Sequence, residues 1–101
     1  VKAIAIYGGA PYPEQIEGLR RGAMIVVGTP GRVSDHMDRR TLDLSHVETV
    51  VLDEADEMIS MGFKADLEKI LGIASKGQSQ TWLFSATTGA EVKSFASRYL
   101  K

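Results

Sequence analysis

The sequence predicts an α/β protein in which a parallel β-sheet is covered by helices on both faces. Two observations support this fold class. Short apolar runs rich in β-branched residues alternate with amphipathic segments, and Gly, Pro, Ser, Thr or Asp residues mark the joints between them. The 101 residues are enough for one modest core, and 44% of them are hydrophobic. With a net charge of −1, this composition is typical of a folded domain and argues against disorder.

The first half of the chain predicts two strands, each followed by a helix. The strands are expected at 3–7 and 24–27, and the helices at 12–21 and 30–39. The second strand contains the continuous run Ile25-Val26-Val27, which predicts a strand buried on both faces.

The second half predicts two further strands and three helices. The strands are expected at 48–52 and 80–84, and the helices at 57–61, 63–74 and 89–100. The first of these strands is again predicted to be buried, and Trp82 in the second is expected to lie in the core. The complete order is therefore β-α-β-α-β-α-α-β-α.

Four polar or glycine-containing clusters follow the four predicted strands. They are Gly8-Gly9, Thr29-Pro30-Gly31-Arg32, Asp53-Glu54 and Ser85-Ala86-Thr87. Functional residues of parallel sheets gather at the carboxyl ends of the strands. We therefore expect all four clusters to lie along one edge of one sheet.

Asp53 and Glu54 are adjacent carboxylates at the end of a predicted strand, and two interpretations are open. Neighbouring carboxylates repel each other, and a hard cation such as Mg²⁺ relieves this by binding one of them, often through water. The second carboxylate could then orient a water molecule for phosphoryl transfer. Alternatively, Asp53 caps the next helix, and Glu54 and Asp56 favour its dipole.

The segment Thr29-Pro30-Gly31-Arg32 combines features that suit a phosphate group. Thr29 is expected to cap a helix that has Pro30 at its first position, and the amino end of a helix attracts anions. Gly31 permits close approach of a backbone, and the Arg32 guanidinium matches phosphate oxygens. Taken singly, other clusters have plainer explanations: Gly8-Gly9 as a turn, and the hydroxyls of 85–87 as caps of the last helix.

The clusters together resemble the motifs of one family. Asp53-Glu54-Ala55-Asp56 resembles motif II, which names the DEAD-box RNA helicases, and Met61-Gly62-Phe63 resembles its usual continuation. Gly8-Gly9 is similar to the paired-glycine motif, Thr29-Pro30-Gly31-Arg32 to motif Ib and Ser85-Ala86-Thr87 to motif III. The order agrees with the family along essentially the whole chain. The resemblance implies a partial RecA-like (P-loop NTPase) fold, with residues 1–101 forming the C-terminal part of the first RecA-like domain.

The resemblance also implies roles in ATP hydrolysis. Asp53 would hold Mg²⁺ on the nucleotide phosphates, mostly through water, and Glu54 would activate or position the attacking water. Asp56 would hydrogen-bond with Ser85 and Thr87, and motif III as a whole, including Ala86, would couple the nucleotide site to changes on the RNA side.

For RNA, the resemblance implies contacts to the sugar-phosphate backbone. Motif Ib, from Thr29 to Arg32, would grip the backbone, and Gly8 and Gly9 would add amide contacts. Asp35 would orient a nearby basic or backbone group. Contacts of this kind read shape and not bases, so the binding is expected to be independent of RNA sequence.

Some family motifs are missing from the sequence. It contains no Gly-Lys dipeptide, so it has no phosphate loop, and we find no Q motif, motif Ia or second RecA-like domain. After motif III, Thr88-Gly89 stand where the family usually has an apolar residue and Pro.

We expect the chain to be a piece of an ATP- and Mg²⁺-dependent RNA helicase and to be inactive alone. Because motif Ia normally supplies a strand between those ending at Val27 and Leu52, unpaired edges predict a homodimer, a strand-swapped assembly or a rearranged strand order.

Two other functions remain open. The chain could be an isolated RNA-binding or dimerisation module without ATPase activity, or a response-regulator-like domain with an acidic pocket. The response-regulator alternative leaves motifs Ib and III unexplained.

The absence of cysteine favours a reducing, cytoplasmic location. No apolar run reaches the roughly 18 residues that a membrane span needs, so no membrane partner is expected.

Overall fold

The computed structural model describes residues 2–100 and confirms the predicted order of elements. Each boundary lies within two residues of its predicted position. No helix among the described residues is long and apolar enough to cross a membrane. The strands are β1 (Ala3–Ile6), β2 (Ile25–Gly28), β3 (Thr49–Leu52) and β4 (Gln80–Leu83), and the helices are α1 (Tyr12–Arg20), α2 (Pro30–Asp38), α3 (Ala55–Ser60), α4 (Lys64–Ala74) and α5 (Ala90–Tyr99).

The strands are parallel, as predicted, but they form two sheets and not one. The chain divides into two compact units, Val1–Asp43 and Leu44–Lys101. In the first unit β1 pairs with β2, and in the second β3 pairs with β4. The α/β class is therefore confirmed, whereas the single continuous sheet is not observed. The resemblance places a further strand between β2 and β3, and the sequence contains no segment that could supply it.

The first unit packs α1 and α2 closely against its two strands. A side chain at Gly28 would collide with Ile6 and Val33, so only glycine allows this close approach. The Thr29 N–H donates to the carbonyl oxygen of Ile6 at 3.2 Å, which places the beginning of α2 beside the end of β1. As a result, the residues that follow β1 and β2 lie at the same edge of the sheet.

The second unit has an apolar core between the sheet and its three helices. Leu67 and Leu71 of α4 are almost completely buried in this core. Helix α4 presents its apolar residues three and four positions apart, and this spacing brings them onto one face. The cluster of buried residues comprises Leu52, Ile59, Leu67, Leu71, Val92 and Phe95.

The predicted burial of the strands on both faces is wrong. In β2, Ile25 and Val27 are exposed and only Val26 is half-buried. In the second unit Val51 and its register partner Trp82 are also exposed, and 54% of Trp82 is accessible to solvent. Because side chains alternate between the two faces of a strand, a sheet packed on one face leaves every second residue in solvent.

Candidate functional site

The turn after β3 that contains Asp53 and Glu54, here called the acidic turn, is hydrogen-bonded to the residue that follows β4. The Phe84 N–H donates to the Leu52 carbonyl oxygen at 2.8 Å, and the Ala55 N–H donates to the Phe84 carbonyl oxygen at 3.0 Å. These bonds extend the strand pairing beyond the sheet. They hold both ends of the turn that contains Asp53 and Glu54, so the two carboxylates are presented from a fixed backbone.

Glu54 adopts a left-handed backbone conformation, with φ 55° and ψ 46°. This conformation costs a residue other than glycine on the order of 1–3 kcal/mol, and such strain is concentrated at functional sites. The Asp53 Oδ1 atom accepts the Glu54 N–H at 2.9 Å, while helix α3 begins without any side-chain cap. Asp53 therefore does not cap the helix, and both carboxylates face solvent.

Asp56 joins the acidic turn to the segment that follows β4. Its Oδ2 atom accepts two hydrogen bonds from Thr87, one from the hydroxyl at 2.9 Å and one from the backbone N–H at 3.2 Å. The Ser85 hydroxyl donates to the Thr87 carbonyl oxygen at 2.7 Å. The last helix begins after Gly89 without a side-chain cap. The hydroxyls of 85–87 thus stabilise the link to Asp56 and do not cap a helix.

This link changes the acidity of Asp56. The hydrogen bond from the Thr87 hydroxyl is the largest cause that lowers the pKa of the Asp56 carboxyl, and the backbone N–H of Glu57 and the Ser85 hydroxyl lower it further. Partial desolvation opposes them. Since the folded state prefers the ionised form, the link stabilises the fold above the ordinary pKa of aspartate. That stabilisation is lost as the pH falls below it.

Replacing Thr87 by Val is expected to raise the pKa of Asp56 towards its ordinary value, because the main donor to its carboxylate is removed. An NMR titration of the Asp56 carboxyl group would measure the shift. Thr88→Val is the matched control, since Thr88 is the exposed neighbour of Thr87 and has no role in this link. An unchanged pKa in Thr87→Val, or an equal shift in Thr88→Val, would contradict the assignment.

The acidic turn suits a magnesium ion that is held mainly by other ligands. Among residues 2–100, no group of three or more His, Cys, Asp or Glu side chains could hold a metal ion alone. Magnesium normally keeps several water ligands and takes one or two carboxylates together with substrate phosphates. The exposed Asp53 carboxylate, with one oxygen outside the bond to Glu54, fits this requirement.

The turn after β1 contains the two predicted glycines, and both are exposed. Gly9 has φ +89°, a conformation that favours glycine, and a side chain at either position would meet only open space. Beside this turn, Thr29 is the extended N-cap of α2 and Pro30 is its first residue, as predicted. The Thr29 side chain makes no capping bond, so its hydroxyl is not used to complete the helix.

Arg32 is engaged within the first unit. Its Nη1 atom donates to the Ala10 carbonyl oxygen at 3.0 Å and to Gln15 Oε1 at 3.1 Å. The guanidinium carbon lies 4.0 Å from the centre of the Tyr12 ring, a distance typical of a cation–π contact. Arg32 was predicted to be a phosphate ligand, and the structure shows that its Nη1 atom already donates hydrogen bonds within the protein.

Asp35 accepts hydrogen bonds from the Tyr12 hydroxyl and from Arg39 Nε, the latter at 3.2 Å. The basic group expected beside Asp35 is therefore Arg39. The bond from Tyr12 is the main reason why the pKa of Asp35 is lowered and the pKa of Tyr12 is raised. Asp35 consequently stays ionised and holds Arg39 beside the Tyr12 ring, where its guanidinium also lies 4.0 Å from the ring centre.

Three polar residues are buried that were not predicted as site residues: Gln15, Ser34 and His36, of which Gln15 and His36 contact each other. Only 3% of Gln15 is exposed and none of His36. Burial, and then the charge of Arg32, lower the pKa of His36, so its ring is neutral near pH 7. The signal was present in the spacing: Gln15 precedes the apolar Leu19 by four positions and His36 follows Val33 by three, which places each on an inward helix face.

The fold and the strand-end clusters define a RecA-like α/β protein, and comparison with known proteins agrees. A family model described as DEAD/DEAH box helicase matches residues 1–95. The chain belongs to this family. An ATP-dependent RNA helicase DeaD from Mycobacterium tuberculosis is 51% identical over 99% of this chain, and one from Escherichia coli K12 is 50% identical over 100%. The chain spans only 18% and 16% of these proteins.

Solved structures show the same relationship. A DEAD box protein from the hyperthermophile Methanococcus jannaschii matches 99% of this chain and 27% of its own, with a TM-score of 0.92 and 47% identity. The fold is thereby shown to be that of DEAD-box helicases. Family membership also removes the response-regulator alternative.

Proposed function

We propose that this chain is part of an ATP-dependent RNA helicase and carries its acidic hydrolysis residues, its coupling motif and part of its RNA contact. The bonds from Thr87 to Asp56 are the observation that supports this proposal best, because they join motif II to motif III. The names of the relatives give the substrates. We also propose a cytoplasmic location, supported by the absence of cysteine.

In this proposal Asp53 and Glu54, the two carboxylates of the acidic turn, have different roles. Asp53 would hold magnesium through water, and the bound ion would neutralise charge on the nucleotide phosphates. Glu54, fixed in its left-handed conformation, would accept a proton or a hydrogen bond from the attacking water. Asp56 is the third acidic residue of this catalytic set and would act through its bonds to Thr87. It holds Thr87, so that a movement on either side of the link is transmitted to the other.

The glycine turn and the start of α2 would bind the RNA backbone. Gly8 and Gly9 are exposed and carry no side chain that would keep a backbone away. The N-terminus of α2 adds the positive end of a helix dipole, which favours a phosphate group. None of these groups reads a base edge, which supports binding that does not depend on sequence.

RNA binding by the chain is expected to fall as salt rises and to be similar for unrelated sequences. Fluorescence anisotropy with two labelled single-stranded RNAs of different sequence would measure both properties. Each phosphate contact adds about 0.7 to the slope of log affinity against log salt for single strands. We expect Arg32→Ala to weaken binding, whereas Arg21→Ala should not, because Arg21 is exposed and pairs with Glu17. Strong sequence preference or salt-independent affinity would contradict the proposal.

The chain by itself is expected not to hydrolyse ATP. It contains no Gly-Lys dipeptide and therefore no phosphate loop to position the nucleotide, and phosphoryl transfer depends mainly on positioning and charge stabilisation. Phosphate release from ATP with Mg²⁺ and RNA should equal that of the Glu54→Gln chain, which controls for contaminating enzymes. Turnover above that control would show that the acidic turn can act without the loop.

A dimerisation module is the second candidate, and the exposed apolar sheet residues favour it. Val27 of the first unit is 63% exposed, and Val51 and Trp82 of the second are more than half exposed. A second copy of the chain would remove such surface from water. Light scattering during size-exclusion chromatography tests this proposal: a dimer that separates on replacing Trp82 by Ser supports it, and a monomer at all concentrations contradicts it.

A further inference from the structure

The glycine turn after β1 is held at both ends by side chains of α1 and α2. At the first end, Gln15 Nε2 donates to the Tyr7 carbonyl oxygen at 3.1 Å. At the second end, Arg32 Nη1 donates to the Ala10 carbonyl oxygen at 3.0 Å. The same Arg32 nitrogen also donates to Gln15 Oε1 at 3.1 Å, which joins the two anchors directly. The four-residue turn is thus closed by a bridge of two side chains.

Arg32 determines which way the Gln15 amide points, and buried His36 contacts the same amide oxygen. The Nε2 atom of His36 lies 2.8 Å from Gln15 Oε1, and its Nδ1 atom lies 2.7 Å from the Thr41 hydroxyl. Arg32 is a donor only, so the atom of Gln15 that faces Arg32 and His36 must be the oxygen. A reversed amide would bring its NH₂ group against the guanidinium. The nitrogen of Gln15 is therefore directed at Tyr7.

Packing does not hold the turn in place. Gly8 and Gly9 are exposed, and the positions where their side chains would begin have no neighbouring atom within 4 Å. Gly9 has φ +89°, and glycine gains more freedom than any other residue when it is released from a fixed conformation. The conformation of the turn therefore depends on its two anchors.

We propose that Gln15 and Arg32 are positioning residues that order the Gly8-Gly9 turn for RNA, with His36 in contact with the Gln15 amide oxygen. This inference rests on the proposed RNA contact. A preordered turn binds more tightly because the entropy of ordering it is not lost on binding. Arg32 then has a role besides phosphate attraction, since its bond to Ala10 holds the turn before any RNA binds.

Gln15→Glu separates the two functions of the Gln15 amide. The new carboxylate keeps an acceptor for Arg32 and His36 but replaces the donor to Tyr7 with an oxygen. Heteronuclear NMR of the backbone amides should then show Gly8 and Gly9 moving towards random-coil shifts with increased mobility. RNA affinity should fall about fivefold, the size expected when one hydrogen bond that orders the site is lost.

Arg32→Lys keeps the positive charge, but its shorter side chain does not extend to the position from which Arg32 Nη1 donates to both Ala10 and Gln15, and it lacks the planar group that stacks on Tyr12. If Arg32 acts only as a phosphate ligand, this variant keeps the order of the turn and loses little affinity. If Arg32 positions the turn, the glycine amides become mobile and affinity falls while the salt dependence is kept. Arg21→Lys is the matched control and should change neither property.

NMR of the glycine amides and the RNA affinity together distinguish failure of this inference from failure of the proposed function. Loosened glycine amides together with weaker RNA binding in Gln15→Glu and Arg32→Lys would support the proposal. Unchanged glycine amides in both variants would overturn it, whatever the affinity. Loosened amides with unchanged affinity would also overturn it, because order would then not matter to RNA. If the unmodified chain binds no RNA, the proposed function fails, and the glycine amides alone decide whether the two residues hold the turn.

Discussion

Replacing Glu54 by Gln is expected to lower ATP hydrolysis about 10²- to 10⁴-fold in the longer helicase that we propose. This is the range that general acid–base catalysis by one side chain contributes. Gln has nearly the same shape as Glu but cannot accept a proton from the attacking water. The turn is fastened by backbone bonds on both sides, so the substitution leaves its conformation in place. Steady-state phosphate release at saturating RNA would measure the effect.

Glu57→Gln is the matched control for this experiment. Glu57 is an exposed carboxylate in the first turn of α3, three residues from Glu54, and its loss changes the charge by the same amount. We expect Glu57→Gln to hydrolyse ATP at close to the unmodified rate. Wild-type turnover in Glu54→Gln, or an equal loss in both variants, would show that Glu54 has no special role.

Replacing Leu71 by Ala is expected to lower the free energy of unfolding of the second unit by about 2–5 kcal/mol. Leu71 is completely buried in the cluster between α4, α3 and α5, and truncation would leave a cavity there. Urea unfolding followed by fluorescence would report this unit alone, because Trp82 in β4 is the only tryptophan in the sequence. The chain has two units, so a probe confined to one of them is needed.

Met61→Ala controls for the loss of apolar volume. Met61 lies in the same unit and is 69% exposed, so its truncation leaves no cavity. Its effect should stay within about 0.5 kcal/mol, as is usual for surface substitutions. If Leu71→Ala were no less stable than Met61→Ala, the core of the second unit would have to be assigned differently.

Local sequence signals were sufficient to predict the secondary structure. Pro30 fixes the start of α2, and the apolar spacing of α4 identifies a helix without any knowledge of the rest of the molecule. The strand-end clusters were also visible, because each directly follows an apolar run. The link from Thr87 to Asp56 followed from the family resemblance and is present as expected.

Burial and the polar network could not be predicted in the same way. The run Ile25-Val26-Val27 shows that β2 is apolar, but whether its outer face is covered depends on elements far away in the sequence. Gln15 and His36 are twenty-one residues apart, and only the packing of α1 beside α2 brings them within hydrogen-bonding distance. Such contacts depend on tertiary structure, which cannot be inferred from the periodicity of one helix.

The RNA-backbone contact that we propose consists of the residues after β1 and at the start of α2. The most direct measurement is a titration of the isotope-labelled chain with a short single-stranded RNA, followed through its backbone amides. We predict that the amides of Gly8, Gly9 and Gly31 shift together and saturate at one RNA concentration, while the turn at Gly62 in the second unit is unaffected. Unshifted amides at these three glycines, or shifts confined to the exposed sheet face around Trp82, would show that RNA does not bind at this turn and helix start.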